Sequence, residues 1–421
     1  MSELEKWLGH IETVHFRSID MRLDRISRVL QRVLPDGPGF RSISVAGTNG
    51  KGTAVEALSS ILLECGKRVG TYTSPHLIRY TERVRVDGIE VSEAELCSVF
   101  ARIENLRGST PLTYFEFGTL AALLVFEERG VEIAVLEVGM GGRLDAVNLV
   151  DAEAALITSI SLDHEHWLGS DRESIAFEKA GIFRSGRPAI CADPDPPRAV
   201  AACATQIGAN LYQLGKDFEI HMNPAGWEWT GPEGRIDLPE QVVRECHANN
   251  LAGVLMTLKC LGHLVPVDGD RIRRGLSSVR MRGRCEVIPG SPLIVLDVAH
   301  NMAAFRVLND ELKSQRISGR TFAVCGMLKD KPAREMAELL DGVIDEWHVG
   351  TIRDPRGHTS RELADEISSS IGKLVSTHDS VLSAFRAVQR AAGTPDRIVV
   401  FGSFHTVGDI IRGLEGDRKE H

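Results

Sequence analysis

Apolar positions along this chain follow two rhythms, and their alternation predicts the fold. The stretch 42–46 (SISVA) reads as a short buried strand, and near-continuous apolar runs stand at 132–138 (EIAVLEV), 154–159 (AALITS) and 188–191 (PAIC). Runs this short, apolar on both sides, mark strands covered on both faces in a parallel sheet. The stretch 68–72 reads as another strand. Elsewhere the apolar spacing is helical. Trp7, Leu8 and Ile11, then Met21, Leu23, Ile26, Val29, Leu30 and Val33, trace helices that stop at Pro35-Asp36-Gly37-Pro38. Further helices are predicted at 54–65, 93–106 and 114–129, with a polar loop at 73–83. Strands alternating with helices give an α/β, doubly wound sheet with right-handed crossovers, whose ligands gather at the carboxyl ends of the strands.

The rhythm breaks at 216–238, where Trp227 and Trp229 alternate with polar residues among Gly and Pro; a small antiparallel appendage is predicted there. A helix resumes at 247–261. The segments 280–284 and Pro289-Gly290-Ser291-Pro292 read as a linker, and strands restart at 293 (LIVLDV), 321–325, 346–349 and 397–401. This predicts two domains, 1–285 with an N-terminal helical segment and a smaller Rossmann-like α/β domain at 290–421. A length of 421 residues is in keeping with two or three domains at one per ~150 residues.

Candidate chemistry begins where the first strand ends. Gly47-Thr48-Asn49-Gly50-Lys51-Gly52-Thr53 joins strand to helix. Glycine lets the backbone pass close to a ligand, and a helix N-terminus favours an anion. Lys51 adds positive charge for terminal phosphates and Thr53 a hydroxyl near the accompanying Mg²⁺. The match to G-x-x-x-x-G-K-[ST] is imperfect: two residues separate Gly47 from Gly50, and Gly52 stands between Lys51 and Thr53. The first domain is therefore expected to be a P-loop-type ATPase domain.

Composition narrows the class. Hydrophobic content of 43% with 25% charged residues is ordinary for a globular chain. A net charge of -9 argues against nucleic acid as a partner, so positive charge for ATP must be local. The eight cysteines, Cys246 among them, show no C-x-x-C pair and no metal-finger spacing. Free thiols, an acidic start without an apolar leader and no apolar run of ~18 residues lead to the expectation of a cytoplasmic protein with no membrane contact.

Other strand ends carry polar motifs. Glu137 opens EVGMGGRLDAVN, where its carboxylate holds Mg²⁺ against the phosphates, caps a helix or pairs with Arg143. Arg143 and Asp145 are candidate substrate contacts. Asp163 and His164 follow the next strand; His164 is a metal ligand, a phosphate contact or a structural histidine. Lys179 is either a surface cation with a buried stem or a buried amine. A buried amine has a depressed pKa and can react with CO₂ to give a carbamate. Arg284 in the linker reaches a nucleotide or makes an interdomain ion pair, Asp297 is a site residue or an N-cap, and FGSFHT at 401–406 is a site element or simple sheet closure.

Taken together, VAGTNGKGT, TSPHLIRYTERVRVDG, TYFEFGTLAAL, LEVGMGGRLDAVNLVD, SLDHEHWLG, DRESIAFEKAGIFR, MRGR, LDVAHN, GMLKDK and FGSFHTV extend in order over nearly the whole length. In these motifs the chain resembles the bifunctional dihydrofolate synthase/folylpolyglutamate synthase family of Mur-ligase relatives. The resemblance implies an ATP-dependent ligase that phosphorylates the carboxylate of dihydropteroate, or of a reduced folate's terminal glutamate, and joins it to L-glutamate. It implies that Gly47 to Thr53 hold phosphate, with Ser74 and Glu137 on a first Mg²⁺. His164, Glu137 and carbamylated Lys179 would serve a second Mg²⁺ and the acyl phosphate. Asn250, Arg284, Asp297 and His300 would hold the nucleotide, and Arg79, Phe115, Arg143, Asp145 and Ser403 the substrates, in a monomer. The family often has Pro after LDxAHN, where this chain has Met302. A cell-wall Mur-type ligase is disfavoured because only about 40 residues precede the phosphate turn, and a nucleotide switch without chemistry is the remaining alternative.

Overall fold

The structure, a computed structural model, describes residues 2–17, 19–224, 226–232, 234–240, 243 and 247–419. It divides into two compact units: Met1–Pro75 with Tyr80–Arg280, and His76–Arg79 with Met281–His421.

The strands of the first unit are β1 (Arg41–Ala46), β2 (Val69–Tyr72), β3 (Val84–Val86), β4 (Ile89–Glu90), β5 (Ile133–Glu137), β6 (Ala154–Ile157), β7 (Pro188–Cys191) and β8 (Asn210–Gln213). Their order in the sheet is β4-β3-β2-β5-β1-β6-β7-β8. Strands β2, β5, β1, β6, β7 and β8 run parallel, each to its neighbour. Every residue of β5 is buried, and all of β1 except Arg41, because helices cover both faces. One of these, Tyr114–Glu128, is buried along most of its length and begins at a Thr113–Glu116 capping box. A three-stranded antiparallel sheet, β9 (Glu219–Asn223), β10 (Gly226–Gly231) and β11 (Gly234–Leu238), forms the appendage. Its Trp229 is fully buried and donates its indole N–H to the carbonyl of Ala252 at 3.2 Å.

The second unit holds β12 (Glu286–Ile288), β13 (Leu293–Leu296), β14 (Thr321–Cys325), β15 (Glu346–Gly350), β16 (Val375–His378) and β17 (Arg397–Phe401), in the order β12-β13-β17-β14-β15-β16. All neighbours are parallel except β12 with β13. The α/β expectation therefore holds in both units, with two corrections. Between the two supposed linker segments, 280–284 and 289–292, lies β12, whose three residues pair with Ile294, Val295 and Leu296. The second unit thus starts at Met281 rather than 290 and also takes in His76–Arg79. The polar loop at 73–83 ends in a 3₁₀ turn, Tyr80–Arg83, that leads into the unforeseen β3–β4 hairpin. No disulfide joins any of the seven described cysteines to another; Cys246 lies outside the described residues. Among the described residues no helix is long and apolar enough to cross a membrane.

Candidate active site

The centre of the first sheet sets the site. β1 lies between β5 and β6, with Val45 opposite Glu137 and Ala46 opposite Ile157. The chain therefore leaves these three strands side by side, at the edge where ligands of open α/β sheets bind. The helix after β1 begins at Lys51, three residues before the predicted 54, so the glycine turn runs directly into its first turn. Amide hydrogens of a first helical turn have no partner within the helix.

Two glycines here have no tolerated replacement. Gly50 adopts φ +82°, and a Cβ on it would lie 2.1 Å from Nδ2 of Asn250. A Cβ on Gly47 would lie 1.8 Å from the hydroxyl of Thr158. Lys51 bends back and donates from Nζ to the carbonyls of Gly47 and Thr48 at 3.1 and 3.2 Å. The hydroxyl of Thr53 is buried and has no hydrogen-bond partner, a condition that costs about 1–3 kcal/mol unless a bound group supplies one. A glycine-built cradle, an ammonium group and an unpartnered hydroxyl together fit a nucleotide phosphate and its divalent cation.

Thr48 and Asn49 do something else. The amide of Thr48 donates to the carbonyl of Ser159 at 2.8 Å, and that of Asn49 to the Ser159 hydroxyl at 3.0 Å. The Thr48 hydroxyl accepts from the Ser161 amide at 3.0 Å and donates to the Ser161 carbonyl at 3.1 Å. These two residues strap the turn to the segment that follows β6.

Glu137 is buried at the tip of β5, and its Oε2 accepts the amide of Ser74 at 3.1 Å. Arg143 pairs instead with Glu178 at 2.8 Å and lies over the ring of Phe177. Phe115 packs on the backbone of Gly139, where a Cβ would meet its ring at 2.6 Å. Asp145 is buried and accepts from the amides of Met140 and Val147, each at 2.9 Å. Burial nonetheless pushes its carboxyl up to about 6. His164 sits exposed at φ +53°, capping the short helix Glu165–Leu168. Lys179 is not a surface cation. It is only 3% exposed, and burial, reinforced by the nearby Lys51 ammonium, pulls its amine down to about 7.

In the second unit Asp297 is buried and accepts from the amide of Cys285 at 2.7 Å and that of Ala299 at 2.6 Å. Burial raises its carboxyl, and the hydrogen bonds from Cys285 and Ala299, with a lesser effect of the Arg284 guanidinium, oppose that rise. The N-cap of the following helix is Asn301, not Asp297. His300 contacts the carbonyl of Val298 through Nδ1 at 2.8 Å. Ser403 is buried and engaged with Thr406, donating to its hydroxyl at 2.9 Å and accepting its amide at 3.0 Å. Arg79 is exposed.

Residues 45–220 match the Mur ligase middle domain, and 283–404 match the Mur ligase, glutamate ligase domain. The dihydrofolate synthase/folylpolyglutamate synthase of Escherichia coli (strain K12) is 41% identical over 99% of this chain and 97% of its own. The chain belongs to the dihydrofolate synthase/folylpolyglutamate synthase family. The Haemophilus influenzae relative of the same name is 38% identical over 97% of both chains. Among solved structures, E. coli FolC in complex with DHPP and ADP matches with a TM-score of 0.94 at 41% identity, over 99% of each chain. A bifunctional folylpolyglutamate synthase/dihydrofolate synthase with Mn, AMPPNP and L-glutamate bound matches at 0.89 and 42%, over 99% of this chain and 98% of that one.

Sequence reasoning passed over Thr158, Ser159 and Ser161, which hold the glycine turn. It also passed over Asp193, just beyond the tip of β7. The signal for Asp193 was present: a carboxylate at the end of an apolar strand is the pattern that singled out Glu137. Asn250 was named for the nucleotide, and its amide packs on Gly50.

Proposed function

We propose that the protein is an ATP-dependent carbon–nitrogen ligase that joins L-glutamate to dihydropteroate, making dihydrofolate, and to the glutamate tail of reduced folates. The observation that carries the reading is the meeting of the Lys51 turn and Glu137 at adjacent strand tips, with Lys179 near enough to feel the Lys51 charge. The ligands in the relatives' crystals, ADP, AMPPNP, Mn and L-glutamate, support the same ligands here.

A carboxylate is a poor electrophile, so phosphate is first installed on its oxygen as a leaving group. The glutamate amine then attacks the acyl carbon, the amide forms and phosphate leaves; positioning and charge neutralisation supply most of the rate. Gly47, Thr48, Asn49, Gly50, Lys51, Gly52 and Thr53 form the phosphate cradle, Lys51 and the helix N-terminus opposing the phosphate charge. A divalent cation, when bound, screens the triphosphate and the charge that develops on transfer. Ser74, Glu137 and His164 are its proposed ligands, over two sites. Lys179 as a free amine adds CO₂: an N–C bond forms, a proton leaves to solvent, and the resulting carbamate turns a cation into an anion. Asn250, Arg284, Asp297 and His300 contact the nucleotide, and Phe115, Arg143, Asp145, Arg79 and Ser403 the folate and glutamate. The enzyme works as a cytoplasmic monomer.

Phosphate release from ATP tests the reading. Release that requires glutamate together with dihydropteroate, and separately glutamate with a reduced folate, is expected. Release with the reduced folate alone would restrict the enzyme to tail extension. Slow hydrolysis indifferent to both would overturn the assignment.

A further inference from the structure

Behind the phosphate turn lies an ion pair that no part of the reaction uses. Asp193, 3% exposed, accepts the amide of Ile160 on Oδ2 at 2.6 Å. Its Oδ1 accepts from Nη2 of Arg172 at 3.2 Å and from the amide of Asp195 at 2.9 Å. Arg172 in turn donates from Nε to the carbonyl of Ile160 at 2.9 Å. One peptide unit on each side of Ile160 is thus gripped, its N–H by the carboxylate and its C=O by the guanidinium. The fork is completed by Nη1 to the Asp195 carboxylate at 3.0 Å and Nη2 to the Asp195 carbonyl at 2.6 Å.

The position of the gripped residue is what gives the pair a role. Ile160 stands between Ser159 and Ser161, the two residues that strap Thr48 and Asn49. Arg172 is also the first residue of the helix Arg172–Ala180, which carries Lys179 near its other end. A displacement at Ile160 moves Ser159 and Ser161 with it, and through them the turn that leads into Lys51. We propose that Asp193 and Arg172 are positioning residues for nucleotide binding, holding the phosphate turn and the Lys179 helix at one fixed spacing. Geometry held by planar, charge-assisted contacts is specific as well as strong, and sites lose affinity when such support is loosened. The proposal rests on the reading of the Lys51 turn as the ATP site.

The test is Asp193→Asn and Arg172→Lys, with Mg-AMPPNP binding measured by calorimetry and steady-state KM for ATP measured alongside. Ile160 and Arg172 donate to different oxygens of Asp193, and Asn puts an NH₂ donor in place of one of them, so one donor loses its acceptor; Lys keeps the charge and loses the fork. Each variant is expected to weaken nucleotide binding and raise KM for ATP about tenfold or more, with a smaller change in kcat. The double variant is expected to cost little more than either single one, since both break one unit. A merely structural pair would lower the melting temperature and leave nucleotide affinity unchanged in the folded fraction, and that result overturns the proposal. If a variant fails to fold, Arg172→Gln provides the same reading. Wild-type protein that binds no nucleotide would instead sink the functional assignment, so the two failures are distinguishable.

Discussion

Lys179 offers the sharpest quantitative prediction. Its amine is buried in the folded protein and pulled down to about 7, against 10.5 for an exposed lysine. Below pH 7 the lysine is charged in both folded and unfolded chains, and the folded state bears the full cost of a desolvated cation. Between about 7 and 10.5 only the unfolded chain holds the extra proton, so unfolding becomes harder as pH rises. At about 1.4 kcal/mol per pH unit, the gain is about 2 kcal/mol between pH 7 and 8.5 and at most about 5 kcal/mol across the whole window. Methionine has nearly the same length and no charge, so Lys179→Met removes this dependence. Urea unfolding of both proteins, without nucleotide and in CO₂-free buffer from pH 6 to 9, reads the difference directly. Below pH 7 the variant should be the more stable, and its advantage should shrink as pH rises. Bicarbonate at pH 8 should then stabilise wild type alone, because the carbamate forms only where the free amine is held. Parallel curves for the two proteins would show that the amine is not desolvated, and the carbamate proposal would lose its chemical basis.

Two other substitutions follow from the same crevice. Gly50→Ala forces a side chain into φ +82° and against Asn250; a stability loss of about 1–3 kcal/mol and at least tenfold weaker nucleotide binding are expected from chemical denaturation and calorimetry. Asp145 has a carboxyl raised by burial to about 6 from an ordinary 3.8, so the folded state holds its proton more tightly. Stability conferred by that proton is complete below about pH 4 and lost as pH rises through 6, an effect of at most about 3 kcal/mol. Melting curves at pH 4 to 7 should therefore show wild type losing ground to Asp145→Asn, and a constant difference would contradict the burial argument.

The first sheet was legible where burial on both faces wrote a nearly continuous apolar run: β5, β6 and β7 were found from such runs, and β1 as the short strand that leads into the glycine turn. Strands at the margins were not. β8 and β16 are half-exposed edge strands, with polar residues no different from those of a loop. β12 and the β3–β4 hairpin are two or three residues long, too short to establish alternation. The helix after β1 starts earlier than expected because Gly50 and Gly52, on either side of Lys51, have little local preference for it. In the candidate site, Glu137 and Lys51 could be seen because a carboxylate at the end of an apolar strand and a lysine in a glycine turn are unusual. Contacts that hold them could not. Gly50 with Asn250, or Ile160 with Asp193 and Arg172, are pairs brought together only by the sheet.

The charge around the phosphate turn bears on metal dependence. Lys51 and a partly protonated Lys179 are opposed there by Glu137, Asp145 and Asp163, the last two felt by Lys179 itself. Negative side chains thus outnumber positive ones, in a chain already at -9. A triphosphate arriving without a cation meets these carboxylates unscreened, and helix dipoles and one firm ammonium offset only part of that repulsion. With a divalent cation the same carboxylates become favourable. Nucleotide affinity is therefore expected to fall more than tenfold when Mg²⁺ is chelated, measured with a fluorescent ATP analogue at fixed ionic strength. Thr53→Val should reproduce much of that loss while folding at least as stably as wild type, because it removes a buried hydroxyl that has no partner in the folded chain. Equal affinity with and without the metal would mean that the positive groups suffice, and the carboxylates would need another purpose.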